Sequence, residues 1–362
     1  MHIKHIEIKN FRCFDSLKLD LDNKIVVIQG VNGVGKTTLL EALHYLCYLR
    51  SFRTYSPGNL LQFGKDTFFI KTDFFSGTNE QRMDCSLQVG FEKKKRLVKL
   101  NQKNISSFKE LMDHYRIITL TEDDLFLIKG GPEVRRSFID QAILLQDPLY
   151  GKMLREYKKV LDNRNSLLRA FKIDKDSFVV WTKLLWQKTA EIHKLRIQLL
   201  KDFENRINVM LTTIFDEQLQ VCLEFRPKKE VIGKSVAVFL QDHEFSLKEV
   251  TCKRTLFGAH LDDILIKFQD KKSKNYASRG QQKLTVLLLK IAQLQHLQDK
   301  KGLATLLLDD FMTDFDELRL KKLISFLSTL SNQLIFTSPI NKGLFDDLLM
   351  QLNAKKCSLN IQ

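Results

Sequence analysis

The segment Gly30-Val31-Asn32-Gly33-Val34-Gly35-Lys36-Thr37 constrains this chain more than any other. It fits G-x-x-x-x-G-K-[ST] and stands in the context that pattern requires. The β-branched run Ile25-Val26-Val27-Ile28 predicts a strand leading into it, and Leu39, Leu40, Leu43, Leu46 and Cys47 predict one face of a helix leading out. Glycines at these spacings let backbone N–H groups converge on phosphate oxygens, and the helix start adds the positive end of its dipole. Lys36 supplies a point charge for the β- and γ-phosphates. The Thr37 hydroxyl, with Thr38 beside it, can meet Mg²⁺. Residues 30–38 are therefore the expected binding segment for ATP and Mg²⁺.

Such a loop needs an acidic partner at the end of a neighbouring strand. Leu306-Leu307-Leu308-Asp309-Asp310 offers one, with Asp309 expected on the metal and Asp310 expected to orient or deprotonate the attacking water. Successive residues of an extended chain point to opposite sides, so the two carboxylates are expected to serve different roles. Upstream, Ser278-Arg279-Gly280-Gln281 precedes Gln282, Lys283, Leu284, Val286, Leu287, Leu288 and Ile291. Ser278 is suited to a helix N-cap, and Gly280 permits close approach of backbone to an anion. The segment resembles the signature loop of ABC-type ATPases. Its residues are expected to meet the γ-phosphate of a nucleotide held by a second copy of the chain.

Patterning divides the chain into three. Residues 1–118 alternate apolar and polar over Ile3–Leu21, with further strands expected near 68–75, 84–91 and 96–100, the last two flanking a basic turn at 92–95. From 151 to 217 there is no proline, and Ile192, Leu195, Leu199, Phe203, Ile207, Met210 and Ile214 recur at helical spacing. Residues 119–249 are thus expected to form a mainly helical inserted lobe. Residues 250–362 return to short apolar strands, Leu306–Leu308 and Leu334–Phe336, of the kind buried on both faces of a parallel sheet. The fold class expected is α/β, a P-loop NTPase head assembled from both chain ends.

Charge narrows the partners. Fifty-eight Lys plus Arg against 43 Asp plus Glu leave a net charge of +15, which favours polyanions through counterion release. Between 151 and 210 there are 14 Lys plus Arg and seven Asp plus Glu, read either as a soluble helical surface or as an arm facing DNA. No stretch approaches the roughly 18 apolar residues of a membrane helix, and the amino terminus reads as a strand, so a soluble cytoplasmic protein with no membrane partner is expected. The six cysteines show neither Cys-x-x-Cys pairing nor metal-ligand spacing and read as isolated thiols.

The whole set resembles the RecF family of bacterial DNA repair proteins, relatives of the SMC and Rad50 heads. Beyond the P-loop, signature and Asp-Asp segments, the likeness rests on Lys9-Asn10-Phe11-Arg12, Leu39-Leu40-Glu41-Ala42-Leu43 and Arg50-Ser51-Phe52-Arg53-Thr54. It continues through Gly130-Gly131-Pro132-Glu133-Val134-Arg135-Arg136-Ser137-Phe138-Ile139-Asp140 and Gly258-Ala259-His260-Leu261-Asp262-Asp263. The chain departs from that family's pattern at Glu122, at Ala259 and Leu261, and at Thr313-Asp314-Phe315-Asp316, and it has no histidine at Thr337-Ser338-Pro339. The resemblance implies an ABC/SMC-type head that dimerises around two ATP molecules and has weak, DNA-stimulated ATPase activity. It implies binding to double-stranded DNA and single-strand gap junctions at the nucleoid, and partnership with RecR, RecO and RecA in loading RecA. Three alternatives compete for the same residues: a DNA clamp switched by ATP without hydrolysis, a short SMC- or Rad50-like protein, for which neither a long coiled coil nor a Cys-x-x-Cys hook is visible, and the ATP-binding subunit of a transporter. The transporter fits poorly with the roughly 240 residues between Thr37 and Ser278.

Overall fold

The computed structural model describes residues 1–77, 83–93, 95–215, 219–310, 315–339 and 350–359. By its internal contacts the chain divides into two units. One comprises Met1–Asp124, Thr212–Glu217 and Arg279–Gln362; the other comprises Leu125–Leu211 and Gln218–Ser278. The first stretch holds β1 (His2–Phe11), β2 (Phe14–Asp20), β3 (Ile25–Gln29), α1 (Lys36–Tyr48), β4 (Thr67–Ser76), β5 (Met83–Glu92), β6 (Lys95–Leu100), β7 (Lys103–Asn104), α2 (Phe108–His114) and β8 (Ile117–Leu120). In the middle come α3 (Phe126–Lys129), α4 (Pro132–Gln146), α5 (Leu149–Arg169), α6 (Lys175–Phe215), β9 (Val221–Arg226), α7 (Val236–Leu240), α8 (His243–Cys252), β10 (Asp263–Phe268), β11 (Lys271–Lys272) and α9 (Ser273–Tyr276). The last stretch supplies α10 (Arg279–Lys301), β12 (Thr305–Leu308), α11 (Glu317–Thr329), β13 (Leu334–Ser338) and β14 (Lys355–Ser358).

Two sheets build the unit made from the chain ends. An antiparallel sheet runs β2-β1-β4-β5-β6-β7, and a parallel one runs β14-β3-β13-β12-β8. Their sequences differ as their burial does. β4 and β5 alternate buried and half-buried residues along most of their length, as strands covered on one face do, whereas every residue of β8, β12 and β13 is buried. In β1 the odd spacing of Ile3 and Ile6 is absorbed by a register shift between Ile3 and His5, so both side chains reach the core. β5 and β6 pair as antiparallel neighbours, with Glu92 opposite Lys95. Gln333 ties the sheets together: its amide donates to the carbonyls of Ile3 (2.9 Å) and Leu21 (2.9 Å) and accepts from the N–H of Ile3 (2.7 Å).

Helix α1 contacts β8 and β13 of the parallel sheet and β5 of the antiparallel one. It was expected to bury one apolar face, yet 12 of its 13 residues are buried, including Glu41 and His44. A helix covered on all sides must satisfy its polar side chains internally. His44 does so with Thr119 (Nδ1 to Oγ1, 2.8 Å), and burial pushes its pKa down to about 3. Among the described residues no helix is long and apolar enough to cross a membrane.

The middle unit is mostly helical but carries a three-stranded antiparallel sheet, β11-β10-β9. That pairing corrects the expected boundary at 249/250. Residues 250–278 belong with the middle because β10 pairs with β9 from Asp263↔Arg226 to Phe268↔Val221. The first break falls at Asp124/Leu125. Along α6, Ile192, Leu199, Phe203, Ile207 and Met210 are at most 4% exposed, while Leu195 and Ile214 are half-buried. Two of the sequence blocks meet in this unit's polar core. Arg196 holds Asp140 (2.9 Å) and Asp262 (2.7 Å), His193 reaches Asp262 (3.0 Å), and Arg135 pairs with Asp263 (2.8 Å). Gly258 has φ +112°, and a Cβ there would lie 2.6 Å from the Tyr157 hydroxyl. These blocks knit the lobe.

Candidate nucleotide site

Parallel register sets the site. Leu308 lies opposite both Phe336 and Leu120, and Ser338 lies opposite Gln29, so the C-terminal ends of β3, β13, β12 and β8 form one edge. Ligands of open α/β sheets bind at such edges. The loop 30–35 leaves β3 there and enters α1. Gly33 and Gly35 have φ of +87° and +105°, a region that costs other residues strain. At Gly35 there is also no room: a Cβ would stand 2.6 Å from Phe14 Cζ and 2.9 Å from Cys13 Sγ. Val31, Asn32 and Gly33 are exposed at the loop tip, whereas Val34 and Thr38 are buried.

Lys36, 8% exposed, folds back over the loop, donating from Nζ to the carbonyls of Gly30 (2.8 Å) and Val31 (3.2 Å). The Thr37 hydroxyl donates to Asp309 Oδ1 at 3.1 Å. Thr337 donates to the same oxygen at 2.8 Å, and its own hydroxyl oxygen accepts the Asp310 N–H at 2.8 Å. The Asp309 N–H is held by the Leu120 carbonyl at 2.9 Å. Burial pushes the Asp309 carboxyl above its usual pKa, the two threonine hydroxyls only partly offsetting it. Asp310 is exposed and has φ +42°, so the chain is not extended there. The two carboxylates do differ in setting, but through a left-handed turn pinned by Thr337, not through strand alternation. Thr337 was not singled out as a site residue. The available signal was that it follows Phe336 in a buried strand of the kind expected to flank β12.

The sequence blocks around α1 converge on one carboxylate. Glu41, fully buried, accepts from Arg12 Nε (3.0 Å) and Nη2 (2.7 Å) and from the Ser51 hydroxyl, with Arg53 Nη1 at 3.6 Å. The Arg53 charge also bears on Asp309. In the signature segment Ser278 and Arg279 are exposed, α10 starts at Arg279, and Gly280 and Gln281 lie in its first turn. Arg279 Nη2 pairs with Glu122 Oε1 at 2.8 Å, one of the positions where the chain departs from the resembled pattern. Residues 313 and 314 lie outside the described residues, while Asp316 caps α11 by accepting the Arg319 N–H at 2.9 Å.

Residues 2–355 match the model of the RecF/RecN/SMC N terminal domain. The chain is 31% identical over 351 residues to the DNA replication and repair protein RecF of Leptospira interrogans, covering 96% of this chain and 94% of that one. It is 31% identical over 345 residues to RecF of Natranaerobius thermophilus, covering 90% and 88%. A solved structure of the recombination mediator protein RecF with ATP, from the RecFOR pathway, superposes with TM-score 0.79 at 26% identity, covering 95% of this chain and 93% of that one. An Smc head domain from Pyrococcus furiosus shares the fold, with TM-score 0.56 at 15% identity over 99% of this chain and 94% of that one. With its P-loop, its paired parallel and antiparallel sheets and these relatives across nearly its whole length, the chain belongs to the RecF family.

Proposed function

We propose that this protein binds ATP and DNA in recombinational repair and replication, joining a second copy of itself across two ATP molecules and hydrolysing them slowly. The observation that carries this reading is the meeting of Lys36, Thr37, Asp309, Thr337 and Asp310 at one sheet edge. The residues present fit the nucleotide. Lys36 already spans loop carbonyls whose place a phosphate would take as its partner, and at Gly33 nothing lies within 4 Å of where a side chain would stand.

They also fit Mg²⁺. Thr37 and Asp309 offer an oxygen-only pair 3.1 Å apart around a carboxylate that burial leaves short of compensation. Mg²⁺ commonly takes its remaining ligands from phosphate and water. When bound, Mg²⁺ would supply neutralisation of phosphate charge. Thr37 and Asp309 would hold it, and Lys36 would bind the β- and γ-phosphates. Asp310, fixed at its N–H by Thr337, orients the attacking water and takes its proton. Val31, Asn32, Gly33, Val34, Gly35 and Thr38 wrap the phosphates, and Ser278, Arg279, Gly280 and Gln281 of the second copy close over them.

The net charge of +15 supports DNA as the partner, held by its phosphates with little reading of bases. Preference for gapped DNA, cooperation with RecR and RecO, promotion of RecA loading and a place at the cytoplasmic nucleoid rest on membership of the RecF family. Sedimentation with and without ATP and gapped DNA tests the reading. The parent chain should form a nucleotide-dependent dimer that carries the DNA, and Lys36→Ala should lose ATP binding and dimerisation together. Loss of charged hydrogen bonds of this kind weakens binding up to roughly a hundredfold. A parent chain that stays single at saturating ATP and DNA would overturn it.

A further inference from the structure

The turn Glu122–Leu125, just past β8, is fastened to α10 at two points of different character. At one, Lys290 Nζ lies 2.7 Å from Asp124 Oδ1, with side chains only 11% and 20% exposed, and the other Asp124 oxygen accepts the Thr121 N–H at 2.8 Å. At the other, Arg279 Nη2 lies 2.8 Å from Glu122 Oε1 with 59% and 69% of the two side chains exposed. The first pair is shielded from water. The second is in solvent, where an ion pair is weak, screened by salt and easily exchanged.

The positions of these two residues give the exposed pair a meaning. Glu122 follows Leu120 by two residues, and the Leu120 carbonyl holds the Asp309 N–H, so the acid belongs to the nucleotide edge of its own protomer. Arg279 opens α10 within the segment proposed to meet a second protomer's triphosphate. A guanidinium presents the same fork of donors to a carboxylate and to a phosphate. Glu122 takes the Arg279 Nη2 donor, and a donor held by a carboxylate is not open to a phosphate.

We propose that Glu122 is a positioning residue that latches Arg279 within its own protomer, so that Arg279 reaches the partner's triphosphate only by leaving Glu122. The inference rests on the ATP-joined pair proposed above and adds to it the residue that sets how much nucleotide pairing requires. The buried Lys290–Asp124 pair keeps the turn in place while the exposed pair opens.

Two measurements on the full chain test it. In sedimentation across an ATP series, Glu122→Gln should pair at roughly two- to fivefold lower ATP than the parent, the range an exposed ion pair commands. Glu122→Asp should pair at the parent's ATP concentration, and ATP affinity in protein diluted below association should be alike in all three. A Glu122→Gln midpoint at or above the parent's overturns the latch. Independently of pairing, phenylglyoxal should modify Arg279 faster in nucleotide-free Glu122→Gln than in the parent, read by peptide mass. Equal rates overturn the latch. Should the parent fail to associate at all, the pairing reading falls, and the labelling comparison still decides whether Glu122 restrains Arg279.

Discussion

Thr337 stands between the two aspartates, donating its hydroxyl to Asp309 Oδ1 at 2.8 Å and accepting the Asp310 N–H at 2.8 Å. One hydroxyl therefore orients the carboxylate proposed for the metal and the backbone of the carboxylate proposed for the water. Thr337→Val keeps the shape and removes both bonds. We expect ATP affinity within about threefold of the parent and turnover lowered roughly tenfold, the size of one misplaced polar contact in a transition state. Steady-state kinetics with a parallel nucleotide titration separates the two; parent-like turnover would remove Thr337 from the site.

Asp310 occupies the left-handed region at φ +42°, which asparagine tolerates better than most residues. Asp310→Asn should fold like the parent, bind ATP with little change and lose hydrolysis by about 10² to 10⁴, the range of general base catalysis. It should persist as a dimer on DNA. Hydrolysis at the parent rate would show that another group handles the water.

Burial works against the charged form of Asp309, and the Thr337 and Thr37 hydroxyls oppose that effect. The folded pKa of Asp309 is raised, so the stability associated with this group is present below the unfolded value and is lost as pH rises through the folded one. At neutral pH, without nucleotide or divalent metal, Asp309→Asn should melt above the parent. That advantage should shrink as pH falls through the acidic range, while Mg²⁺-dependent ATP binding is lost. Thermal melts across pH check it, and a lower melting point at pH 7 would contradict the assignment.

Glu41 gathers Arg12, Ser51 and Arg53 in a fully buried position. Glu41→Gln leaves cations facing a neutral amide, and removing one partner of a buried pair costs about 3 kcal/mol. Urea unfolding should show a loss of that order. A change below about 0.5 kcal/mol would mean that the arginines find other partners.

The amino-acid sequence by itself determined whatever depends on neighbours along the chain. The glycine spacing of 30–35 was legible because it encodes backbone conformations that few other residues adopt, and Gly33 and Gly35 have the positive φ that spacing calls for. Leu306–Leu308 and Leu334–Phe336 were legible as buried parallel strands because unbroken apolar runs need cover on both faces. Tertiary structure alone decided what depends on strand register and on burial across the chain. Thr337 meets Asp309 because Leu308 aligns with Phe336, Glu41 collects arginines from both sides of it in sequence because α1 is buried on all sides, and residues 250–278 join the middle unit because β10 pairs with β9. Such contacts are fixed by where apolar faces find cover, and local spacing carries no record of that choice.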